Sequence, residues 1–176
     1  MRKLVILMAF LFIMLFFTSC TQSLTTDIPI TTTSATTPVS IGDMAPDFTL
    51  EDLEGNLFTL SDFLGSPVVI NFWLINCHHC IEEFPYFEDF YRNRPALMVF
   101  ITINRGDSLS ALIEFVGENE YSFPILMDIR RSVSLDYGIS SIPVTLFIDK
   151  YGVIQVKKIG AYHSIAEIES DFASIT

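Results

Sequence analysis

The chain of 176 residues contains little cysteine, little positive charge and no apolar run long enough to cross a membrane. Its three cysteines are too few to form the disulfide framework of a domain of this size. Lysine and arginine number 10 against 21 aspartates and glutamates, a formal net charge of −11. Because no basic cluster interrupts this acidic composition, nucleic acid is not expected as a partner. The longest apolar run, 4–17, is shorter than the roughly 20 residues of a membrane-spanning helix.

Residues 1–20 are typical of a bacterial lipoprotein signal segment. Arg2 and Lys3 precede the apolar run and small residues follow it, as in segments that direct secretion. The end of the segment, 17–20, resembles a lipobox, in which the cysteine, here Cys20, is lipidated and becomes the new N-terminus. An uncleaved anchor is the alternative. In both cases the rest of the chain is expected outside the cytoplasmic membrane.

Residues 21–40 are rich in threonine, serine and proline and nearly uncharged, a composition that predicts a flexible tether. Residues 41–176 have the length of one domain. Since the predicted anchor uses Cys20, Cys77 and Cys80 are the remaining pair. A disulfide between them closes so short a ring that it restricts the unfolded chain little. The pair is therefore expected to be chemical rather than structural.

Strand and helix patterns alternate along the predicted domain, which indicates an α/β layered fold with a mixed sheet. A continuous apolar, β-branched run at 68–74 predicts a buried central strand. Aromatic residues recur three and four positions apart over 80–91 and predict a helix. The other predicted elements are a hairpin of 46–50 and 57–60, a strand at 96–103, a helix capped by Asp107 or Ser108 and ending near Asn119, a strand at 125–127, a short helix at 132–137, a hairpin of 144–148 and 153–157, and a closing helix at 164–175.

Cys77-His78-His79-Cys80 follows the predicted central strand directly. If a helix begins near Cys77, both sulfurs lie on its first turn, where free backbone N–H groups and the helix dipole favour a thiolate. A thiolate is the species that attacks a disulfide, so this position indicates thiol–disulfide exchange. Zinc sites use the same cysteine spacing, but the strand before the pair favours the redox interpretation.

Several segments in combination resemble the TlpA/ResA-type membrane-tethered thioredoxin-like proteins. They are Asn71-Phe72-Trp73, the cysteine pair, Glu83-Phe84-Pro85 and 137–149, while 42–48 look like the opening of the AhpC/TSA superfamily. The resemblance covers residues 41–172. It implies a thioredoxin-like three-layer α/β fold, in which helices flank a central mixed sheet and a β-hairpin is added at the N-terminus.

The resemblance also implies roles for individual residues. Cys77 would be the exposed nucleophile and Cys80 the resolving thiol, with a Cys77–Cys80 disulfide in the oxidised form. Ile142 and Pro143 match a cis-proline loop that faces the active site and pairs with the substrate backbone; a trans proline at a strand start is the alternative. No metal and no cofactor other than the redox-active disulfide is implied.

Glu83 matches a glutamate that ResA-like members place beside their active-site cysteines. Helical spacing supports this independently, because Cys80 and Glu83 are three positions apart and share a helix face. Burial near sulfur should raise the pKa of the Glu83 carboxyl and suit it to moving the proton of Cys80. The alternative is an ordinary solvated helix glutamate like its neighbour Glu82.

The residues around the pair are expected to tune it. Asn76 stands where thioredoxins have tryptophan and is a candidate helix N-cap, and Trp73 ends the strand before it. A protonated imidazole at His78 or His79 would stabilise the Cys77 thiolate and make the disulfide more oxidising, as in the C-P-H-C pair of DsbA proteins. Alternatively, both imidazoles point to water. Thioredoxins have a buried aspartate where this chain has Asn71, which shifts proton handling toward Glu83.

These features predict an extracytoplasmic, lipid-anchored thiol–disulfide oxidoreductase. The resemblance favours reduction of cysteine pairs in protein substrates, for example apocytochrome c, with electrons from a membrane donor of the CcdA/DsbD type. A disulfide-forming oxidase is an alternative because of the histidines. A peroxiredoxin is another, although Leu74 replaces the threonine that those enzymes need. A copper or zinc carrier is a third, with His163 as a distant ligand.

Overall fold

A computed structural model describes residues 38–175 of the chain. The predicted signal segment and its lipidation site, Cys20, lie outside the described residues. Of the predicted tether, only residues 38–40 are described. Within residues 38–175, no helix combines the length and apolar character needed to span a bilayer.

One seven-stranded mixed sheet forms the centre of the domain. Its strands are β1 (Thr49–Asp52), β2 (Leu57–Thr59), β3 (Val68–Trp73), β4 (Val99–Asn104), β5 (Ile125–Met127), β6 (Val144–Ile148) and β7 (Ile154–Ile159). They lie in the order β2-β1-β5-β4-β3-β6-β7. The β3–β4 and β4–β5 pairs are parallel and the other pairs are antiparallel. The predicted mixed sheet is therefore confirmed.

Within the described residues, four α-helices cover the sheet on its two faces. They are α1 (His78–Asn93), α2 (Leu109–Asn119), α3 (Ser132–Asp136) and α4 (Ile165–Ala173). The buried apolar side chains of α1, α2 and α4 belong to one cluster, whereas Val133 of α3 belongs to the cluster on the opposite face. Helix, sheet and helix thus form the three layers expected of a thioredoxin-like fold.

The central strand β3 is buried on both faces, as its continuous apolar run predicts. Successive side chains of a strand alternate between the two faces. Val68, Ile70 and Phe72 accordingly pack in the cluster under α3, whereas Val69 and Trp73 pack in the cluster under α1. The same alternation directs Asn71 toward α1. A polar side chain is thereby placed beneath the helix that carries the cysteines.

The added N-terminal hairpin extends the same sheet. β1 pairs with β2 and, on its other side, with β5. In the turn, Asp52 Oδ1 accepts hydrogen bonds from the backbone N–H groups of Glu54 and Asn56 at 2.9 and 2.8 Å. Because an aspartate that bonds the backbone two residues on favours a tight turn, the sequence closes this hairpin locally.

Small differences separate the predicted and observed element ends. β4 begins at Val99 rather than at residue 96, because Met98 N–H donates to the carbonyl of Pro95 in a turn. Helix α2 is capped by Ser108, whose Oγ accepts the N–H of Ala111 at 3.3 Å. Of the two cap candidates, Ser108 is thus the N-cap.

Candidate active site

The cysteine pair lies where β3 leads into α1. Cys77 and Cys80 form a disulfide with an S–S distance of 2.06 Å and a Cα–Cα distance of 5.2 Å. Cys80 is fully buried, whereas Cys77 is half-buried. A partner protein can therefore reach Cys77 and not Cys80, which is the asymmetry that an attacking and a resolving thiol need.

Helix α1 begins immediately after Cys77, which is its N-cap. Cys77 Sγ accepts the N–H of Cys80 at 3.3 Å, and the Cys77 carbonyl accepts the N–H groups of Cys80 and Ile81 at 2.9 and 3.2 Å. The expected N-cap role of Asn76 is wrong. The Cys77 sulfur caps the first turn of α1, whereas Asn76 is exposed in the preceding turn. Cys77 consequently lies at the positive end of the helix dipole, which favours its thiolate.

A carboxylate from another loop holds the segment before the pair. Asp107 Oδ2 accepts the N–H of Ile75 and the Nδ2–H of Asn104, both at 2.8 Å. Asn104 Oδ1 in turn accepts the N–H of Asp107 at 2.9 Å. Asp107 was a helix-cap candidate in the sequence, and its contact with Ile75 was missed. The available signal was the polar Asn104 at the end of a buried strand.

Glu83 is a fully buried carboxyl in α1. Its Oε1 accepts from Asn71 Nδ2 at 2.9 Å, and its Oε2 accepts from the N–H of Tyr162 at 2.9 Å. Burial raises the pKa of Glu83 to about 7, while these two hydrogen bonds act in the opposite direction. Near neutral pH both protonation states are therefore populated. This is the property required of a group that receives and returns a proton next to Cys80.

Asn71 connects Glu83 to the central sheet. Its Nδ2 also donates to Thr145 Oγ1 at 3.0 Å, and Thr145 is its cross-strand neighbour in β6. Asn71 thus holds the Glu83 carboxyl without bringing a charge of its own. The other donor, Tyr162, lies between β7 and α4, packs edge-on against Phe87, and donates its hydroxyl to Asp171 at 2.5 Å. No local sequence pattern pointed to Tyr162.

The Ile142–Pro143 peptide bond is cis, as the sequence predicts. Pro143 precedes β6, whose first residue, Val144, pairs with Phe72 near the end of β3. The proline therefore lies at the same end of the sheet as the end of β3, where the cysteine loop starts. Arg105 supports the approach to it by donating from Nη2 to the carbonyl of Ile139 at 2.7 Å.

The two histidines between the cysteines share one carboxylate partner. His78 Nε2 lies 3.0 Å from Glu82 Oε1, and His79 Nδ1 lies 2.9 Å from Glu82 Oε2. The hydrogen bond with His79 is the largest cause of a lowered pKa at Glu82. All three side chains are exposed. The sequence predicts an ordinary solvated glutamate at position 82. In the structure, Glu82 instead contacts both histidines.

Trp73 is part of the core. It is fully buried and packs edge-on against Phe84, with ring centroids 4.8 Å apart, and against Phe115. Any effect of Trp73 on the cysteines would therefore pass through packing. In the part of the chain that the structure describes, no three histidine, cysteine or acidic side chains converge in a way that could hold a metal ion.

The family model described as AhpC/TSA family matches residues 41–157. The chain belongs to this family. It is 37% identical over 124 residues to the thiol-disulfide oxidoreductase ResA of Geobacillus thermodenitrificans (strain NG80-2), covering 70% of each chain. It is 35% identical over 117 residues to ResA of Bacillus subtilis (strain 168), covering 66% of this chain and 65% of that one.

Solved structures show the same fold. The exposed lipoprotein thioredoxin Etrx1 of Streptococcus pneumoniae strain TIGR4 superposes with a TM-score of 0.65 at 24% identity, covering 72% of this chain and 98% of that one. A secreted disulfide oxidoreductase of Mycobacterium tuberculosis gives 0.65 at 26%, covering 72% and 95%. The thioredoxin-like fold is confirmed. The chain is a thiol–disulfide oxidoreductase of the ResA type.

The raised pKa of Glu83 predicts a pH-dependent stability. An unfolded glutamate titrates near 4.5 and the folded Glu83 near 7, so the folded state binds the extra proton between these values. The stabilising contribution is complete below about pH 4.5 and is lost as the pH rises through about 7, a total of about 3 kcal/mol. Urea unfolding of the oxidised protein should show this loss in the wild type and not in E83Q. Parallel pH profiles of the two proteins would contradict the assignment.

Proposed function

We propose that the chain is an extracytoplasmic, membrane-tethered reductase of disulfides in partner proteins. The observation that carries this proposal is the Glu83 carboxyl, which is buried in the same helix as Cys80 and whose pKa is raised by that burial to about 7. In the reductive direction Cys80 must lose its proton to complete each turnover. A carboxylate near that thiol supplies the base for this step.

The proposed reaction begins with the reduced protein. The Cys77 thiolate attacks one sulfur of the partner disulfide, and the other partner sulfur leaves as a thiolate that takes up a proton. The product is a mixed disulfide between Cys77 and the partner. Cys77 is the attacking residue because it is only half-buried, so a partner can reach it, and because its position at the N-terminus of α1 favours the thiolate.

Release of the partner requires Cys80. Glu83 accepts the Cys80 proton, the Cys80 thiolate attacks Cys77 Sγ, and the second partner sulfur leaves and is protonated. Two electrons have then moved from the cysteine pair to the partner. The partner is a dithiol and the chain carries the Cys77–Cys80 disulfide. A membrane dithiol donor of the CcdA/DsbD type would return the chain to its reduced form.

The location and partners belong to the same proposal. Lipidation of Cys20, at the end of the lipoprotein-type segment 1–20, would attach the chain to a membrane. Residues 21–40 would tether the domain of residues 41–176 outside the cytoplasm. Apocytochrome c, which needs its cysteines reduced before haem attachment, is the proposed substrate type. Disulfide formation is the second candidate, because His78 and His79 lie between the cysteines and a charged imidazole favours the Cys77 thiolate.

Removing the proton acceptor should stall the release step. In E83Q, resolution of the mixed disulfide is expected to slow by about 100-fold, because a general base contributes 10²–10⁴ in rate. Quenched-flow experiments with a disulfide-bonded peptide would measure the lifetime of the mixed disulfide. E118Q, which removes a negative charge from the exposed end of α2, is the matched control. An unchanged lifetime in E83Q would refute the assigned role.

The reduction potential of the cysteine pair distinguishes the two directions. A reductase is expected to lie near the potential of thioredoxin, about −270 mV, and an oxidase near that of DsbA, about −120 mV. Equilibration with glutathione or dithiothreitol gives the value directly. A potential near that of DsbA would replace the proposed function with disulfide formation.

The anchor has a separate test. In the full chain expressed with its own signal segment, the wild type should incorporate a radioactive fatty acid and C20A should not, because the site of lipid attachment is gone. Labelling followed by fractionation measures both quantities. A wild type that stays in the membrane fraction without label would favour the uncleaved anchor.

A further inference from the structure

We propose that Glu82 is a positioning residue that sets the redox balance of the site by holding His78 and His79 and cancelling their charge at Cys77. This inference rests on the proposed function, since it explains how a pair with two intervening histidines remains reducing. Glu82 does not touch the reacting sulfurs. It acts through the two imidazoles.

The geometry makes one carboxylate the partner of both rings. His78 and His79 lie four and three positions before Glu82, spacings that bring side chains together on a helix. Each carboxylate oxygen takes one ring, at 3.0 Å for His78 and 2.9 Å for His79. His163, in the connection before α4, is a titratable group of another element whose charge also contributes to the lowered pKa of Glu82.

Cys77 is the group that would respond to an uncompensated imidazole. It directly precedes His78, is half-buried, and lies at the helix N-terminus, which already favours negative charge on sulfur. A further positive charge would stabilise the thiolate, favour the reduced form and make the disulfide more oxidising. A carboxylate shared by both rings reduces that positive field.

Glu82 also has a simpler possible role, as a helix-stabilising neighbour. Exposed ion pairs contribute little to stability, and such a contribution would leave the sulfur chemistry unchanged. A change in the Cys77 thiolate therefore distinguishes the two roles of Glu82, whereas a change in the free energy of unfolding does not.

The test compares the wild type with E82Q near pH 6, where imidazoles in general carry charge. The substitution keeps a hydrogen-bonding side chain and removes the negative charge. The Cys77 pKa, followed by thiolate absorbance, is expected to fall. The equilibrium constant with glutathione is expected to shift about threefold toward a more oxidising pair, the size expected of exposed charge pairs. E118Q is the control for the loss of one charge elsewhere and should change neither quantity.

A double-mutant cycle decides whether the histidines transmit the effect. In the H78A/H79A background, E82Q should produce no shift, whereas in the H163A background the full shift should remain. The titration of Glu83 is common to all variants and cancels in the differences. A shift of equal size in the H78A/H79A background, or of equal size at about pH 8.5, where imidazoles are neutral, would overturn the proposal.

The failure of the role of Glu82 and the failure of the proposed direction can be told apart. The proposed function depends on the potential of the wild type, and the role of Glu82 depends on differences between variants. An oxidising wild type with a normal E82Q shift would refute the direction only. A reducing wild type without a shift would refute the role of Glu82 only.

Discussion

The burial of the Glu83 carboxyl against the central sheet is the constraint on which the arrangement of the site depends. Removal from water opposes its charged form, whereas the Asn71 amide and the Tyr162 N–H stabilise that form. The balance of these opposed effects places its titration near neutral pH. Since the donors come from β3 and from the connection before α4, the proton chemistry of one side chain requires three separate parts of the fold to be in place.

The topology explains why a glutamate in this helix reaches the sheet. Helix α1 follows β3 and packs back over it, so that its buried face lies above Val69, Asn71 and Trp73. Antiparallel pairing places Thr145 directly beside Asn71. The Glu83 carboxyl therefore lies on the same buried face of α1 as Cys80. The cis-proline loop reaches the same end of the sheet through β6.

Two adjacent glutamates show how strongly position controls chemistry. Each residue of an α-helix is rotated by about 100° from the one before it, so Glu83 faces the core while Glu82 faces water. The pKa of Glu83 is raised by burial and that of Glu82 is lowered by its hydrogen bond with His79. In the proposed mechanism the inner carboxyl handles a proton, and the outer one moderates the charge next to Cys77.

Local patterns in the sequence were sufficient for most of the fold. The strand at 125–127, the strand at 144–148 and the helix ending at Asn119 lie where the apolar spacing and the turn residues predict. The cysteine pair and the buried face of Glu83 were also predictable, because helical spacing alone relates Cys80 to Glu83. The N-cap was assigned to Asn76 incorrectly, since composition favours asparagine there and only the folded loop shows the Cys77 sulfur over the first turn.

The sequence alone predicts the order of strands and helices along the chain, the redox pair and the identity of its buried carboxyl, because each depends on neighbours within one or two turns. The donors that hold Glu83 and the carboxylate that supports Ile75 depend on the tertiary packing. Tyr162 is 79 positions from Glu83, and Asp107 is 32 from Ile75. Such contacts leave no local periodicity, since they arise when the packing of sheet and helices brings distant polar groups together away from water.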